Sequence, residues 1–358
     1  MAESTLYAPA AEPTGSVVLR LQTGNSGLKE WAHAALRALG LRRVRIEPPD
    51  DPMPVSVRLS SGELPPADIG DSGASTVVAS DKRGVLIRSD RGWQWTRSGY
   101  DLIVQANVDR GTVQIHDPAD GARGRAQVAY ALRHALTVLF PRRRRYSIHA
   151  AGVCPTDAPG GGLIAGPSGC GKSTLTAGLV DRGWRCLSDD HLALAPPEME
   201  TEATWMYGLT RGIRLRPDAW HRLNKADSDV QAPGADQPIY GRTDKRAYRP
   251  GWQADPDQRA VPRWILFPEI TDRPQSRLVR IGASKALGQL LGQMHPPAVL
   301  PEAVAAAQLD AAAEVIRQGE CYHLQAGRDL YDDPGRLARL LPTNTRAQPS
   351  PKITQSPS

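Results

Sequence analysis

Short runs in which apolar and polar residues alternate dominate residues 16–116, with glycine, aspartate and asparagine between them. Alternation with a period of two predicts β-strands that bury one face, and runs separated by such turn residues are typical of antiparallel sheets. The predicted strands are residues 16–22, 54–59, 85–88, 101–108 and 112–116. Apolar residues at helical spacing predict two helices in the same half of the chain, over residues 28–39 and 125–140.

From residue 146 onward, apolar strands alternate with helices. The pattern predicts strands over residues 146–153, 162–165 and 184–188, with a helix over 172–182 before the third strand. After an irregular stretch to about residue 261, it predicts a strand over 263–270, helices over 284–293 and 301–318, a strand over 321–325 and a helix over 334–341. Gly183 follows the first of these helices, as glycine commonly does at a helix end. Strand, loop, helix and strand in this order are typical of the core of a mostly parallel α/β layer.

These patterns divide the chain into four segments. Residues 1–15 are rich in proline and alanine, and residues 342–358 in proline, serine and threonine, so both are predicted to be disordered. Residues 16–145 are predicted to form an α+β domain, and residues 146–341 an α/β domain. Because the first domain contains no recognisable cluster of catalytic residues, we expect it to be a scaffold or to dock a partner.

The composition is typical of a soluble globular protein, with 358 residues and a net charge of +6. No apolar run reaches the ~20 residues that a membrane span needs, and the first residues lack the pattern of a secretion signal. The four scattered cysteines argue against a zinc site and against a disulfide framework. The arginines at residues 142–145 follow an apolar helix, which favours a solvated connector over a nucleic-acid site. We therefore expect a cytoplasmic protein that binds neither membranes nor nucleic acids.

Residues 166–173 read Gly-Pro-Ser-Gly-Cys-Gly-Lys-Ser, which fits the P-loop pattern G-x-x-x-x-G-K-[ST] between a predicted strand and a predicted helix. The glycines allow backbone N–H groups to converge on phosphate oxygens, and the start of the helix adds the positive end of its dipole. Lys172 is expected to reach the β- and γ-phosphates, and Ser173 to bind Mg²⁺. The residues predicted to contact a nucleoside triphosphate are Gly166, Ser168, Gly169, Cys170, Gly171, Lys172, Ser173 and Thr174.

Asp189 and Asp190 follow the next predicted strand, at the edge where open α/β sheets place their chemistry. One carboxylate could hold the metal while the other accepts the proton of an attacking hydroxyl. A simple turn or a helix N-cap is the alternative for this pair. His149 lies on the strand predicted before the loop, and a single histidine in such a place is more often structural than catalytic.

Together, Ser147-Ile148-His149-Ala150, the loop GPSGCGKST and Ser188-Asp189-Asp190 resemble the catalytic domain of HPr kinase/phosphorylase and its kinase relatives. Further along, residues 212–218 are similar to an Arg-Leu-x-Pro-Asp stretch of that family. Lys245-Arg246, followed by the strand near 264–270, resembles its basic loop and late strand. The resemblance covers about residues 146–341 and is specific over 147–190.

The resemblance implies an α/β fold, a P-loop catalytic domain with a mixed sheet, preceded here by the α+β domain. It implies a serine kinase that uses ATP and Mg²⁺ and acts on a peptide or small protein. By position, Asp189 matches the family's general base, and Asp190 the carboxylate near the metal that Ser173 also binds. His149 matches the family's active-site histidine.

Lys245 or Arg246 would neutralise charge on the transferred phosphoryl group, a role that adds to that of Lys172. Members of the family often assemble into oligomers, so a homo-oligomer is a further expectation.

Two departures from the family narrow the expected substrate. The Glu-Val-Arg-Gly-Leu-Gly signature of the bifunctional enzyme is absent, with only distant similarity at residues 207–213, and the N-terminal half does not resemble that enzyme's N-terminal domain. Both argue against HPr as the substrate and against the reverse phosphorolysis. Kinases with this altered plan include those that phosphorylate a serine at the end of lasso-peptide precursors, which is the substrate class we favour.

Two other functions stay open at this point, a kinase for a small-molecule hydroxyl on the same scaffold and a non-catalytic nucleotide-sensing regulator. A transport ATPase is disfavoured because the chain lacks the Leu-Ser-Gly-Gly-Gln signature. Residues 224–227, Asn-Lys-Ala-Asp, fit a guanine-binding motif of GTPases, but they lie in a polar, irregular stretch where no apolar strand ends.

Overall fold

A computed structural model describes the following parts of the chain: residues 140–156, 160–197, 203–209, 213–223, 259–294, 300 and 302–341, together with the backbone of ten further strands. The predicted helix over 28–39, nearly all of that over 125–140 and the tail 342–358 lie outside these residues.

Nine of the described strands form one sheet in the first half of the chain, in the order β3-β1-β2-β4-β9-β8-β7-β6-β5. They are β1 (Ser4–Pro9), β2 (Leu19–Thr23), β3 (Leu41–Arg43), β4 (Val55–Ser61), β5 (Thr76–Asp81), β6 (Gly84–Ser89), β7 (Gly92–Thr96), β8 (Ile103–Asn107) and β9 (Thr112–Asp117). Every strand predicted in this half overlaps one of them, whereas β1, β3, β5 and β7 were not predicted. The antiparallel arrangement holds from β5 to β9 but is wrong for β4, which pairs in parallel with β2 and β9.

Strand β1 also corrects the prediction that residues 1–15 are disordered. Its backbone pairs with β2 on one side and with β3 on the other. Thr5 and Tyr7 favour strands, and the high content of proline and alanine around them obscured this short signal.

A second sheet, in the order β10-β14-β15-β18-β12-β11-β13, forms the frame of the other half, and β20 pairs with both β18 and β19 beside it. Its strands are β10 (Tyr146–Ile148), β11 (Ala150–Cys154), β12 (Gly160–Ala165), β13 (Arg185–Ser188), β14 (Leu192–Ala195), β15 (Trp205–Gly208), β18 (Arg259–Ile270), β19 (Arg277–Arg280) and β20 (Glu320–Ala326). Two further strands, β16 (Ile213–Leu215) and β17 (Arg246–Tyr248), pair separately. Because β12, β18 and β20 are mutually parallel while the other pairs are antiparallel, the sheet is mixed, as the family resemblance implied, and not mostly parallel.

The single strand predicted over residues 146–153 is two strands, and the break between them lies at His149. The backbone N–H of His149 donates to the Gln293 carbonyl at 2.8 Å. Strand β10 then pairs with β14, whereas β11 pairs with β12 and β13. Apolar residues are buried on both sides of the break, so the hydrophobic pattern continues through it and gives no sign of the change.

Helices cover both faces of this sheet. They are α1 (Lys172–Val180), α2 (Pro217–Arg222), α3 (Ala283–Leu291), α4 (Glu302–Gln318), α5 (Arg328–Asp332) and α6 (Leu337–Leu340), with short 3₁₀ turns at Phe140–Arg143 and Pro334–Arg336. The four helices predicted in this half are present, and α2, α5, β14 to β17 and β19 appear where no regular structure was predicted. None of the described helices is long and apolar enough to cross a membrane.

Successive residues of the central strands point to opposite faces, as the strand period requires. Leu163 and Ile265 pack in one cluster with the buried residues of α3 and α4. Ile164 and Leu266 pack in a second cluster with α1 and α6. The sheet therefore lies between two helical layers, and the carboxyl ends of β12, β13, β18 and β20 meet at one edge, beside the start of α1.

Candidate active site

The loop 166–171 connects β12 to α1, and its conformation depends on glycine. Gly169 and Gly171 have φ angles of +93° and +98°, a region that side chains disfavour. A methyl group at either position would meet no heavy atom within 4 Å, so the backbone conformation, and not a lack of space, calls for glycine. The loop thus leaves open space in front of α1, of the kind that a phosphate group would fill.

Lys172 is the first residue of α1 and is only 7% exposed. Its Nζ donates to the carbonyl oxygens of Gly166 at 2.6 Å and Pro167 at 3.2 Å, which fixes the ammonium group against the loop. The positive end of the helix dipole lies at the same point. Both charges favour an anion in front of the loop.

Asp189 follows β13 and is buried, with 3% of its surface exposed. Its Oδ2 accepts hydrogen bonds from Ser173 Oγ and from the backbone N–H of Arg214, each at 3.0 Å. Burial raises the pKa of Asp189 and the neighbouring Asp190 charge raises it further, while the Arg214 and Ser173 contacts oppose the shift. Asp189 therefore ties the first turn of α1 and strand β16 to the edge of the sheet.

Asp190 is the second residue of the bend that follows β13, and its carboxylate lies beside two histidines. Its side chain is 34% exposed, and its Oδ1 lies 3.0 Å from His149 Nε2. Its Oδ2 lies 3.6 Å from His191 Nε2, and the two histidine rings have centroids 5.5 Å apart. The break between β10 and β11 is what places His149 beside Asp190.

Several of these groups line one cleft of about 250 Å³, which we call the α1 cleft. The predicted residues that line it are His149, Ser168, Gly169, Cys170, Gly171, Lys172, Ser173, Thr174 and Asp190. Of the other predicted site residues, Gly166 holds Lys172 from the loop and Asp189 holds Ser173. Arg246 begins β17, and its backbone is opposite Leu215 of β16. Lys245 lies outside the described residues.

The other residues that line the α1 cleft were not predicted from the sequence. The additional lining residues with polar or aromatic side chains are Arg214, Arg216, Asp218, Arg222 and Tyr331. The similarity of residues 212–218 to a family stretch could have indicated the first three. Nothing in the sequence around Tyr331 indicated it, because α5 reaches the cleft only through the folding of β20 beside β18.

The oxygen atoms of Ser173 and Asp189 suit a cation that is bound partly by the protein and partly by phosphate oxygens. The described part of the chain contains no group of three or more His, Cys, Asp or Glu residues that could hold a metal ion by themselves. Mg²⁺, however, is usually bound through one or two carboxylates and substrate phosphates. The Ser173 hydroxyl and the Asp189 carboxylate, in contact beside the open loop, fit that kind of site.

No model of a known protein family matches this chain, and no curated protein sequence matches it either. The functional conclusion is therefore based on the residues of the α1 cleft.

Proposed function

We propose that this protein is an ATP- and Mg²⁺-dependent kinase that transfers the γ-phosphoryl group to a serine hydroxyl of a peptide or protein. One observation carries the proposal: the two adjacent carboxylates near the start of α1 differ in their contacts and in their exposure. Asp189 contacts Ser173 from a buried position, whereas Asp190 is partly exposed in the cleft beside His149. A phosphoryl transfer needs both a group on the metal side and a group on the acceptor side.

The start of α1 supplies the phosphate site. Backbone N–H groups of the loop and the helix dipole favour negative charge there, and Lys172 adds a fixed positive charge. Ser173 and Asp189 are the residues that would hold Mg²⁺, which would offset charge on the phosphate oxygens. Because Asp189 also holds Arg214 and β16, it fixes the geometry of this side of the cleft.

The acceptor hydroxyl enters on the side of Asp190. As the hydroxyl oxygen bonds to the γ-phosphorus and ADP leaves, Asp190 takes the hydroxyl proton, and His149 keeps the carboxylate oriented. This order reverses the one implied by the family resemblance, which made Asp189 the base. Asp189 is too buried to meet an acceptor, and its Oδ2 already accepts two hydrogen bonds.

The acceptor class that we propose is a peptide that carries a serine, such as a serine at the end of a ribosomal peptide precursor. The test is a transfer assay with ATP labelled in its γ-phosphate and with pairs of peptides that end in serine or in alanine. We expect label on the serine peptides only, and none with Lys172→Ala. Lys285→Ala, which changes an exposed lysine on α3, is the matched control and should behave as the wild type.

Other results of the same assay would support the alternatives. Label on small alcohols but on no peptide would favour a small-molecule kinase. ATP binding without transfer to any acceptor would favour a nucleotide-sensing regulator and would contradict the proposal.

A further inference from the structure

Two short helices, α2 and α5, meet at a part of the α1 cleft that the phosphate chemistry does not use. The guanidinium carbon of Arg222 lies 3.6 Å from the centre of the Tyr331 ring. Arg222 is held in turn by Asp218, because its Nε donates to the Asp218 carbonyl at 3.0 Å and its Nη2 contacts the carboxylate. One face of the ring is thus covered by a fixed cation.

Tyr331 nevertheless remains 54% exposed, although it lines the cleft. The lining of the cleft also includes the apolar residues Leu330, Ala219 and Ile270. An aromatic ring that is backed by a guanidinium group and open on its remaining surface is a stacking platform for another flat ring.

The fold places Tyr331 on the side of the loop away from the acceptor. Tyr331 follows β20 and Asp190 follows β13, and β12 with its loop lies between those strands in the sheet. A ligand that lays its phosphates on the loop, with its terminal phosphate towards Asp190, extends its other end towards Tyr331. Thr174 and Leu175 of α1 also line the cleft.

We infer that Tyr331, backed by Arg222, is the surface on which the base of the nucleoside triphosphate stacks. The inference rests on the proposed function, since it assumes that the loop binds the triphosphate. It adds a recognition site at the other end of the cleft, for a flat aromatic base and not for a phosphate or an acceptor.

The test compares two ligands that differ only in the nucleoside. Calorimetry would give the dissociation constants of ATP and of inorganic triphosphate, both with Mg²⁺, for the wild type, Tyr331→Ala and Tyr331→Phe. We expect Tyr331→Ala to weaken ATP by about 5- to 100-fold, because one stacked base is lost. Inorganic triphosphate should bind as before, which also shows that the variant is folded, and Tyr331→Phe should keep the affinity for ATP.

Two results would overturn the inference but not the proposed function. One is an unchanged ATP affinity in Tyr331→Ala, and the other is an equal loss of affinity for ATP and for inorganic triphosphate in that variant. If the wild type binds neither ligand, the proposed function and the inference both fail. The two kinds of failure are therefore distinguishable in one experiment.

Discussion

Two clefts lie on either side of the loop 166–171, and each contains a carboxylate–histidine pair at the same distance. In the α1 cleft, Asp190 Oδ1 lies 3.0 Å from His149 Nε2. In the other, which we call the α3 cleft, Glu269 Oε2 lies 3.0 Å from His323 Nε2. The residues that line the α3 cleft include Pro167, Cys170, Glu269, Gln289, Gly292, Gln293 and His323.

The surroundings of the two pairs differ in charge. The α1 cleft opens on the first turn of α1, where the helix dipole is positive and Lys172 is fixed. The α3 cleft opens on the last turn of α3, where the dipole is negative, and the described residues that line it include no lysine or arginine. The carboxylate–histidine pairs alone therefore do not distinguish the two clefts, whereas the charge of the neighbouring helix end favours anion binding in the α1 cleft.

The largest expected effect is on the transfer rate, and it distinguishes the Asp190–His149 pair from the Glu269–His323 pair. Asp190→Asn removes the proposed proton acceptor and should lower the transfer rate by about 10²- to 10⁴-fold with little change in ATP affinity. Glu269→Gln is the matched change in the α3 cleft and should leave the rate nearly unchanged. Initial rates at saturating ATP, with binding measured separately, check both. A comparable loss in Glu269→Gln would mean that the α3 cleft takes part in catalysis.

The next effect concerns the buried member of the aspartate pair. Asp189→Asn removes a negative charge beside Ser173, so the Mg²⁺ concentration for half-maximal activity should rise by about 10- to 100-fold. Excess Mg²⁺ should restore much of the rate in this variant but not in Asp190→Asn. The opposite pattern, rescue of Asp190→Asn alone, would restore the roles that the family resemblance implies.

A smaller effect compares the helices beside the two clefts. A Cβ at Gly178 in α1 would lie 2.5 Å from the carbonyl carbon of Pro334, whereas one at Gly288 in α3 would meet no heavy atom within 4 Å. Gly178→Ala should therefore reduce the free energy of unfolding by about 1–3 kcal/mol. Gly288→Ala should increase it by about 0.5–1 kcal/mol, because alanine is the better helix former. Urea unfolding measures both, and equal effects would contradict the difference in packing.

The smallest effect is a pH dependence that comes from Asp189. Since burial raises its pKa in the folded state, its charge lowers stability above that folded pKa, and this penalty fades as the pH falls towards the usual value near 3.8. In the absence of nucleotide and metal, Asp189→Asn should be more stable than the wild type at neutral pH, and the difference should shrink on acidification. Thermal unfolding at several pH values tests this. A variant that is less stable at every pH would show that the hydrogen bonds of the carboxylate outweigh its burial.

Local patterns were enough to predict the centre of the α1 cleft. The loop, the start of α1 and the aspartate pair are close in sequence, and their spacing alone predicts a phosphate site. Gly183 also ends α1 as predicted, with its N–H donating to Val180 and that of Trp184 to Leu179, at 2.9 and 3.1 Å.

The outer parts of the cleft depend on contacts between distant segments, which no local pattern reveals. Arg222 and Tyr331 meet only because α2 and α5 pack at the same edge of the sheet. Likewise, the sequence shows two adjacent aspartates but not which one turns inward, since the contact with Arg214 of β16 decides this. Strands of three or four residues, such as β14 and β16, are too short for alternation to identify them.

In the proposed function, the start of α1 binds the phosphates of a nucleoside triphosphate. The most direct measurement is calorimetric titration of ATP with Mg²⁺ into the wild type, Lys172→Ala and Lys285→Ala. We expect binding to the wild type and to Lys285→Ala with the same affinity, and a loss of about 10- to 100-fold in Lys172→Ala, because one charge-assisted contact to phosphate is removed. Equal affinity in all three proteins, or no binding to the wild type, would contradict this part of the proposal.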